Sequence, residues 1–228
     1  MNLPLNLDVN QKSAIKKNRG QWFFSVMSHR LYEIGLYKFV TTQLWRCPTE
    51  LLLDHYRENV SDNHLEIGVG SGYFLKRTLV QKRKQRLVLL DLNDHCLAKS
   101  AQHLQAFSPR LRRHNVLQPL SLAGGAVASI GMNYVLHCIG GSFKTNWRLF
   151  AHLASVLEEG GVLFGATLVE RPASEGVGAW LLMKTLNLLG IFNNTEQRMA
   201  DLKQALEASF STVSIQRSGN ALVFRAVR

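Results

Sequence analysis

Glu66, Gly68, Gly70, Gly72 and Asp91 are the residues whose types and spacing could hold a ligand. The apolar pattern around His64-Leu65-Glu66-Ile67 runs into three alternating glycines, and Phe74, Leu75, Leu79 and Val80 follow with a helical pattern, so the stretch reads as strand, tight turn, helix. Glycines suit such a turn because its backbone must reach positive φ and admit a ligand closer to the main chain than a Cβ would permit. The following helix aims its free N–H groups and the positive end of its dipole at whatever sits above the turn. The spacing is Gly-x-Gly-x-Gly; a dinucleotide turn, Gly-x-Gly-x-x-Gly, would need its third glycine at position 73, where the residue is Tyr73. Glu66, just before the first glycine, can meet a cationic group. Asp91 ends the apolar run Leu87-Val88-Leu89-Leu90, where a carboxylate can accept hydrogen bonds from the vicinal hydroxyls of an adenosine ribose. Asn93 is the second candidate for those hydroxyls, and a helix N-cap is the competing role for Asp91. His137 is the only strongly polar side chain after Val135-Leu136. With an ordinary pKa of about 6.5 it could take a proton at neutral pH, or it could simply pack and hydrogen-bond a backbone carbonyl.

Residues of this kind need strands to carry them, and the chain supplies an alternating pattern. Trp22 to His55 is helical, through Phe23, Val26, Met27, Leu31 and Ile34 and then Phe39, Val40, Leu44 and Trp45; Pro48 interrupts it and Thr49 caps a further helix. Helices that precede the first strand cannot be crossovers, so they are expected to cover part of the sheet's carboxyl edge. After the strand ending at Asp91 come a helix over His95 to Phe107, a short strand over Leu111 to Val116 and a strand ending at Asn133. A helix over Phe143 to Leu157, closed by Gly160-Gly161, precedes a strand from Val162 to Leu168. An apolar helix from Gly178 to Phe192, either core or lid, is followed by a helix over Glu196 to Phe210 capped by Asn193-Asn194-Thr195. Ser218-Gly219-Asn220 then joins Thr212 to Gln216 and Ala221 to Val227 as a hairpin. The expected class is α/β: a single domain, with a tail and helical cover over residues 1–57 and a core over 58–228.

The 228 residues are 46% hydrophobic and carry a net charge of +11. No apolar run reaches the roughly 18 residues needed to span a bilayer, and Met1 to Gly20 lacks the apolar core of a signal peptide. Cys47, Cys96 and Cys138 are odd in number and far apart, which argues against a disulfide framework or zinc cluster and for a reducing cytoplasm. The positive charge invites a nucleic-acid reading. However, Lys82, Arg83, Lys84 and Arg86, like Arg110, Arg112 and Arg113, fall where strands begin, whereas ligands of an open parallel sheet bind beyond the strands' carboxyl ends. A solvated face or a docking surface for an acidic partner are the alternatives.

With Glu66 included, the glycine motif resembles the first motif of class I S-adenosylmethionine (SAM) dependent methyltransferases, and from Trp22 onward the whole chain looks like that family. Trp45-Arg46-Cys47-Pro48, Leu90-Asp91-Leu92-Asn93, Leu136-His137-Cys138 and Leu163-Phe164-Gly165-Ala166-Thr167 are similar to its YbcY-type branch in bacteria and fungi. The resemblance implies a Rossmann-like, mostly parallel sheet of seven strands in the order 3-2-1-4-5-7-6, ending in an antiparallel hairpin. It implies SAM as cofactor and S-adenosylhomocysteine (SAH) as product. Glu66 would then lie near the methionine end, Gly68, Gly70 and Gly72 would make room for ribose and methionine, and Asp91, Leu92 and Asn93 would meet the ribose. Asn115 and Val116 would meet the adenine; the family usually has an acidic residue where Asn115 stands, and the amide can still accept a hydrogen bond. Asn133 and Tyr134, at the end of the strand that faces the transferred methyl group, would also contact the cofactor.

A sulfonium methyl group is already electrophilic, so catalysis needs an in-line nucleophile, exclusion of water and removal of a proton. No metal is required. The residues expected to line the acceptor pocket are Tyr32, Tyr37 and Trp45 from the cover, His137 as candidate general base, and Asn187 and Phe192 from the apolar helix. The reading is methyl transfer to O, N or C of a small, largely apolar metabolite. RNA or DNA methylation is the first alternative, weakened by the missing Asn/Asp-Pro-Pro-aromatic motif; a non-catalytic SAM-binding protein is the second.

Overall fold

The computed structural model describes residues 35–79, 85–170 and 176–228. Tyr32 lies outside them, as does the side chain of Tyr37. Seven strands form one sheet in the order β3-β2-β1-β4-β5-β7-β6. They are β1 (Asn63–Ile67), β2 (Arg86–Asp91), β3 (Arg110–Arg113), β4 (Val127–Asn133), β5 (Leu157–Leu168), β6 (Thr212–Ser218) and β7 (Ala221–Val227). The first five pair in parallel, and β7 runs antiparallel between β5 and β6. Helices cover both faces. Those described are α1 (Thr49–Asn59), α2 (Tyr73–Thr78), α3 (Asp94–His103), α4 (Arg148–Ser155), α5 (Val177–Leu188) and α6 (Met199–Glu207), preceded by a segment of wide, π-type turns over Gly35–Leu44.

Strand alternation sorts the core into two layers. Leu65 and Ile67 of β1, with Val88, Ile130, Met132 and Leu163, pack under α4 and α6. His64 and Glu66 face the other way, into the layer that holds α1, α2, α3 and α5. α1 therefore covers the sheet's face and not its carboxyl edge. Tyr56 stacks on Phe74 at 5.0 Å and meets Phe164 edge-on at 5.0 Å. The division expected at residue 57 falls inside this helix.

Element ends differ from the sequence reading for local reasons. α1 starts after Pro48, which makes Thr49 its first turn and not its cap. α2 has only six residues. α4 starts at Arg148 because Ser142 and Thr145 close a side-chain turn upstream, Ser142 N donating to Thr145 Oγ1 at 3.0 Å. Gly160-Gly161 is not a helix cap: it lies in an irregular start of β5, where the register jumps from Val127↔Leu157 to Ser129↔Val162. β3 stops at Arg113, leaving Asn115 and Val116 in the loop beyond it. Asn193-Asn194-Thr195 caps nothing, since α6 begins at Met199 after an Arg198 that makes no side-chain cap bond.

Candidate active site

All the carboxyl ends of the parallel strands open into one cavity of about 550 Å³. Its floor is the glycine turn. Gly68, Gly70 and Gly72 all have positive φ, of 65°, 54° and 76°. Two of them need glycine for different spatial reasons as well. A Cβ on Gly68 would lie 2.3 Å from Val135 Cγ2, whereas one on Gly70 would project into open space, where a ligand can approach the main chain. His103 at the end of α3 holds the turn from behind, its Nδ1–H donating to Ser71 O at 2.8 Å.

At the β2 end of the cavity, Asp91 is half-buried and accepts from Asn93 N at 2.9 Å through Oδ1. Burial pushes its carboxyl up to about 6, partly offset by hydrogen bonds from the amides of Asn93, Gly70 and Leu92. Asn93 is the helix cap, its side chain accepting from His95 N at 3.0 Å. Asn115 turns its Oδ1 to Leu117 N at 3.1 Å, which leaves one lone pair for a ligand. Leu92 and Val116 join these residues in the wall. So does His114, which the sequence reading missed: it is buried, its Nε2 has no hydrogen-bond partner, and only its place beside Asn115 could have signalled it.

Glu66 borders the cavity, and each of its oxygens already accepts one hydrogen bond from within the fold. Tyr56 Oη–H donates to Oε1 at 2.7 Å and His64 Nε2–H to Oε2 at 3.0 Å, while the other His64 nitrogen faces Ser129 Oγ at 2.8 Å. His64, Glu66 and Ser129 are nearly inaccessible. The carboxylate expected to wait for a cationic ligand is thus tied into the sheet's lower layer.

The β4 end has another character. Asn133 is the last residue of β4, and Tyr134 then turns the chain with a φ of 58°, an uncommon conformation for a bulky residue. That turn sets Val135 against Gly68 and brings His137 inward. His137 Nδ1 accepts from Leu168 N at 3.2 Å, with Thr167 Oγ1 at 3.4 Å, so the neutral ring carries its proton on Nε2. Desolvation lowers its pKa to about 3, well away from the 6.5 region in which a general base would work at neutral pH. Phe192 meets the ring edge-on at 4.4 Å and lies 6.4 Å from Trp45.

Trp45, His137 and Phe192 therefore come together as expected residues of one wall, to which Val40, Leu182 and Leu186 are added. Asn187 is not among them. Its Nδ2 donates to Asn194 Oδ1 at 2.8 Å and to Met183 O at 3.0 Å, and its Oδ1 accepts from Asn194 N at 3.2 Å. Asn194, fully buried, donates in turn to Leu168 O at 2.8 Å. This amide pair clamps the end of α5 to the end of β5, which is why Asn187 faces away from the cavity.

A sheet in the order 3-2-1-4-5-7-6, a glycine turn of positive φ and a carboxylate at the end of β2, all opening on one cavity, define the class I methyltransferase architecture with an adenosine-cofactor site. Residues 65–165 match the family model described as a methyltransferase domain. The chain is 34% identical over 212 residues to demethylluteothin O-methyltransferase of Streptomyces thioluteus, covering 91% of this chain and 90% of the relative. It is 33% identical over 187 residues to the uncharacterised protein YbcY of Escherichia coli (strain K12), covering 80% and 94%. The solved structure of the N-methyltransferase NodS from Bradyrhizobium japonicum WM9 with SAH shares the fold, with a TM-score of 0.62 at 14% identity over 92% of this chain and 98% of that one. The chain belongs to the SAM-dependent methyltransferase family: it is an enzyme that takes its methyl group from SAM and releases SAH.

Proposed function

We propose that the enzyme methylates an oxygen, nitrogen or carbon atom of a small, largely apolar metabolite, bound at the β4 end of the cavity. The observation that carries this is the division of one cavity into two chemically different ends. Hydrogen-bonding groups collect beyond β2 and β3, and apolar walls from Trp45, Leu168, Leu182, Leu186, Ile191 and Phe192 collect beyond β4 and β5. At the first end, Asp91 holds the ribose, Leu92 and Asn93 flank it, and Asn115, Val116 and His114 bracket the adenine. Gly68, Gly70 and Gly72 let the main chain approach the ribose and methionine, Tyr134 flanks them, and Glu66 supports the turn from below. The cofactor supplies, when bound, a methyl group activated by a sulfonium. The chain's own residues then orient the acceptor and keep water out, the part assigned to Trp45 and Phe192, with His137 as a neutral hydrogen-bond donor in the wall.

The relative named for O-methylation of demethylluteothin supports a small-molecule acceptor. Nucleic acid is disfavoured as acceptor. Arg86, one of the basic residues at the strand beginnings, donates to Asn63 Oδ1 and to the carbonyls of Ala123, Gly125 and Ala126, far from the open end of the cavity. Three free cysteines suit action in a reducing cytoplasm. The test is SAH release during incubation with aromatic and heterocyclic metabolites on one side and with tRNA and duplex DNA on the other. Release with the second group alone would sink the proposal.

A further inference from the structure

Among the described residues, the β4 end of the cavity offers hydrogen-bond donors and lacks a proton acceptor. Glu66 is buried, and each of its oxygens already accepts a hydrogen bond, one from Tyr56 and one from His64. His137 presents Nε2–H, its only lone pair being taken by Leu168 N. Cys138 is held as a thiol, burial pushing its pKa up to about 12. Tyr134 carries a phenol, which at neutral pH is no base. Asp91 and His114 stand at the ends of β2 and β3, and His95 and Lys99 on α3 beside them, the adenosine side. Against this background Asn133 is out of place. Its side chain is 8% exposed, it lies in the cavity wall, and neither Oδ1 nor Nδ2 has a hydrogen-bond partner. An amide left so carries an unpaid desolvation cost, which a ligand group can recover.

We infer that the acceptor is an oxygen acid, an enol or phenol, that enters already ionised, and that Asn133 Nδ2–H receives its oxyanion. The inference deepens the small-molecule reading above and rests on it. In the step itself, a lone pair of the acceptor oxyanion forms the O–CH₃ bond while the S–CH₃ bond breaks and its electron pair stays on sulfur. An anion and a sulfonium become a neutral ether and a neutral thioether, and the proton has already left to solvent. Apolar walls suit such a step because the charges that they solvate poorly disappear as it proceeds. Such a step needs no general base among the described residues.

The test reads the bound acceptor's ionisation directly. The probe is 4-nitrophenol, whose anion absorbs at longer wavelength than the neutral form, titrated in protein saturated with sinefungin, a non-transferable SAM analogue bearing an amine. The bound probe is expected to ionise at a pH lower by about one unit or more than the free probe. Asn133→Ala should return that midpoint toward the free value and weaken probe binding about tenfold, the size of one hydrogen bond to a charged group, while SAH affinity stays within about threefold. Asn133→Asp, which sets a like charge against the anion, should abolish probe binding and still bind SAH. With SAM, rates across a series of fluorinated and nitrated phenols should rise through each phenol's own pKa. Neutral bound probe, no probe binding by a protein that binds SAH, one enzyme pKa common to all phenols, or an Asn133→Ala that loses SAH and keeps the probe would each overturn the inference. Methylation of aliphatic alcohols or amines in the same assay would overturn it and leave small-molecule methylation standing; turnover of RNA alone would overturn both.

Discussion

The two ends of the cavity are built by different means. At the adenosine end, the glycine turn and Asp91 lie on short, consecutive pieces of chain, and main-chain geometry does most of the shaping: positive φ at three glycines, amides of Gly70, Leu92 and Asn93 on one carboxylate. At the acceptor end the wall is assembled from the 35–44 segment, Trp45, the turn after β4, the end of β5, α5 and Phe192, and side-chain packing does the shaping. On the proposed assignment, the difference teaches that the cofactor's end is shaped by local backbone, whereas the acceptor's end depends on contacts between segments far apart in the chain. Point changes should therefore separate the two ends. α5 illustrates the second kind of construction: Ala179 and Met183 are buried, Leu182 and Leu186 line the cavity, and Val177, Leu181 and Leu188 are exposed.

The largest effect is expected below both ends. Glu66→Leu leaves the His64 and Tyr56 donors unpaired in a dry layer, and should cost about 3–5 kcal/mol of stability in a denaturant titration. Glu66→Gln should keep SAH affinity within about threefold, one lost charge in the support mattering less than a lost ligand contact. A large drop in affinity with Glu66→Gln would instead make this residue part of the adenosine end. Next in size, Phe192→Ala should cost about 3 kcal/mol, because the ring fills space between His137 and Trp45, and should leave SAH affinity unchanged in calorimetry. Parallel loss of SAH binding would show that the ends are not independent.

Asp91→Ala should weaken SAH about tenfold, roughly 1.4 kcal/mol, with little change in stability. Ribose hydroxyls donate more strongly to the ionised carboxylate, which accepts through both oxygens, than to the protonated acid. Since the free enzyme's Asp91 titrates at about 6, wild-type affinity should be full above that pH and decline as the pH falls through it. The variant should lack this dependence. The effect of His137 is confined to acid pH. Its folded pKa, about 3, lies below the unfolded value of about 6.5, so its contribution to stability is complete above the unfolded value and is lost as pH falls toward 3. The slope is at most about 1.4 kcal/mol per pH unit, and the difference between wild type and His137→Gln in acid denaturation would measure it. A catalytic rate that titrates with His137 near neutrality would contradict the buried, neutral ring.

Much of this protein follows from short-range pattern. The alternation of strands and helices, the Gly-x-Gly-x-Gly turn, the carboxylate at Asp91 and the closing hairpin each depend on residues within one or two elements, and φ preference and side-chain period are written into residue type. The family and the sheet could be read from them. What the tertiary structure decided is which polar groups remain available. Glu66 and Asn187 looked like open ligands until Tyr56, His64 and Asn194 were found on them, and His137 looked like a base until Leu168 N, 31 residues away, took its lone pair. Asn133 emerged in the opposite way, as the amide that no neighbour satisfies. The physical reason is that a backbone dihedral or a strand's period is determined by the residue itself and its neighbours, while a hydrogen bond's occupancy and a buried group's pKa are determined by whichever distant segment packs beside it.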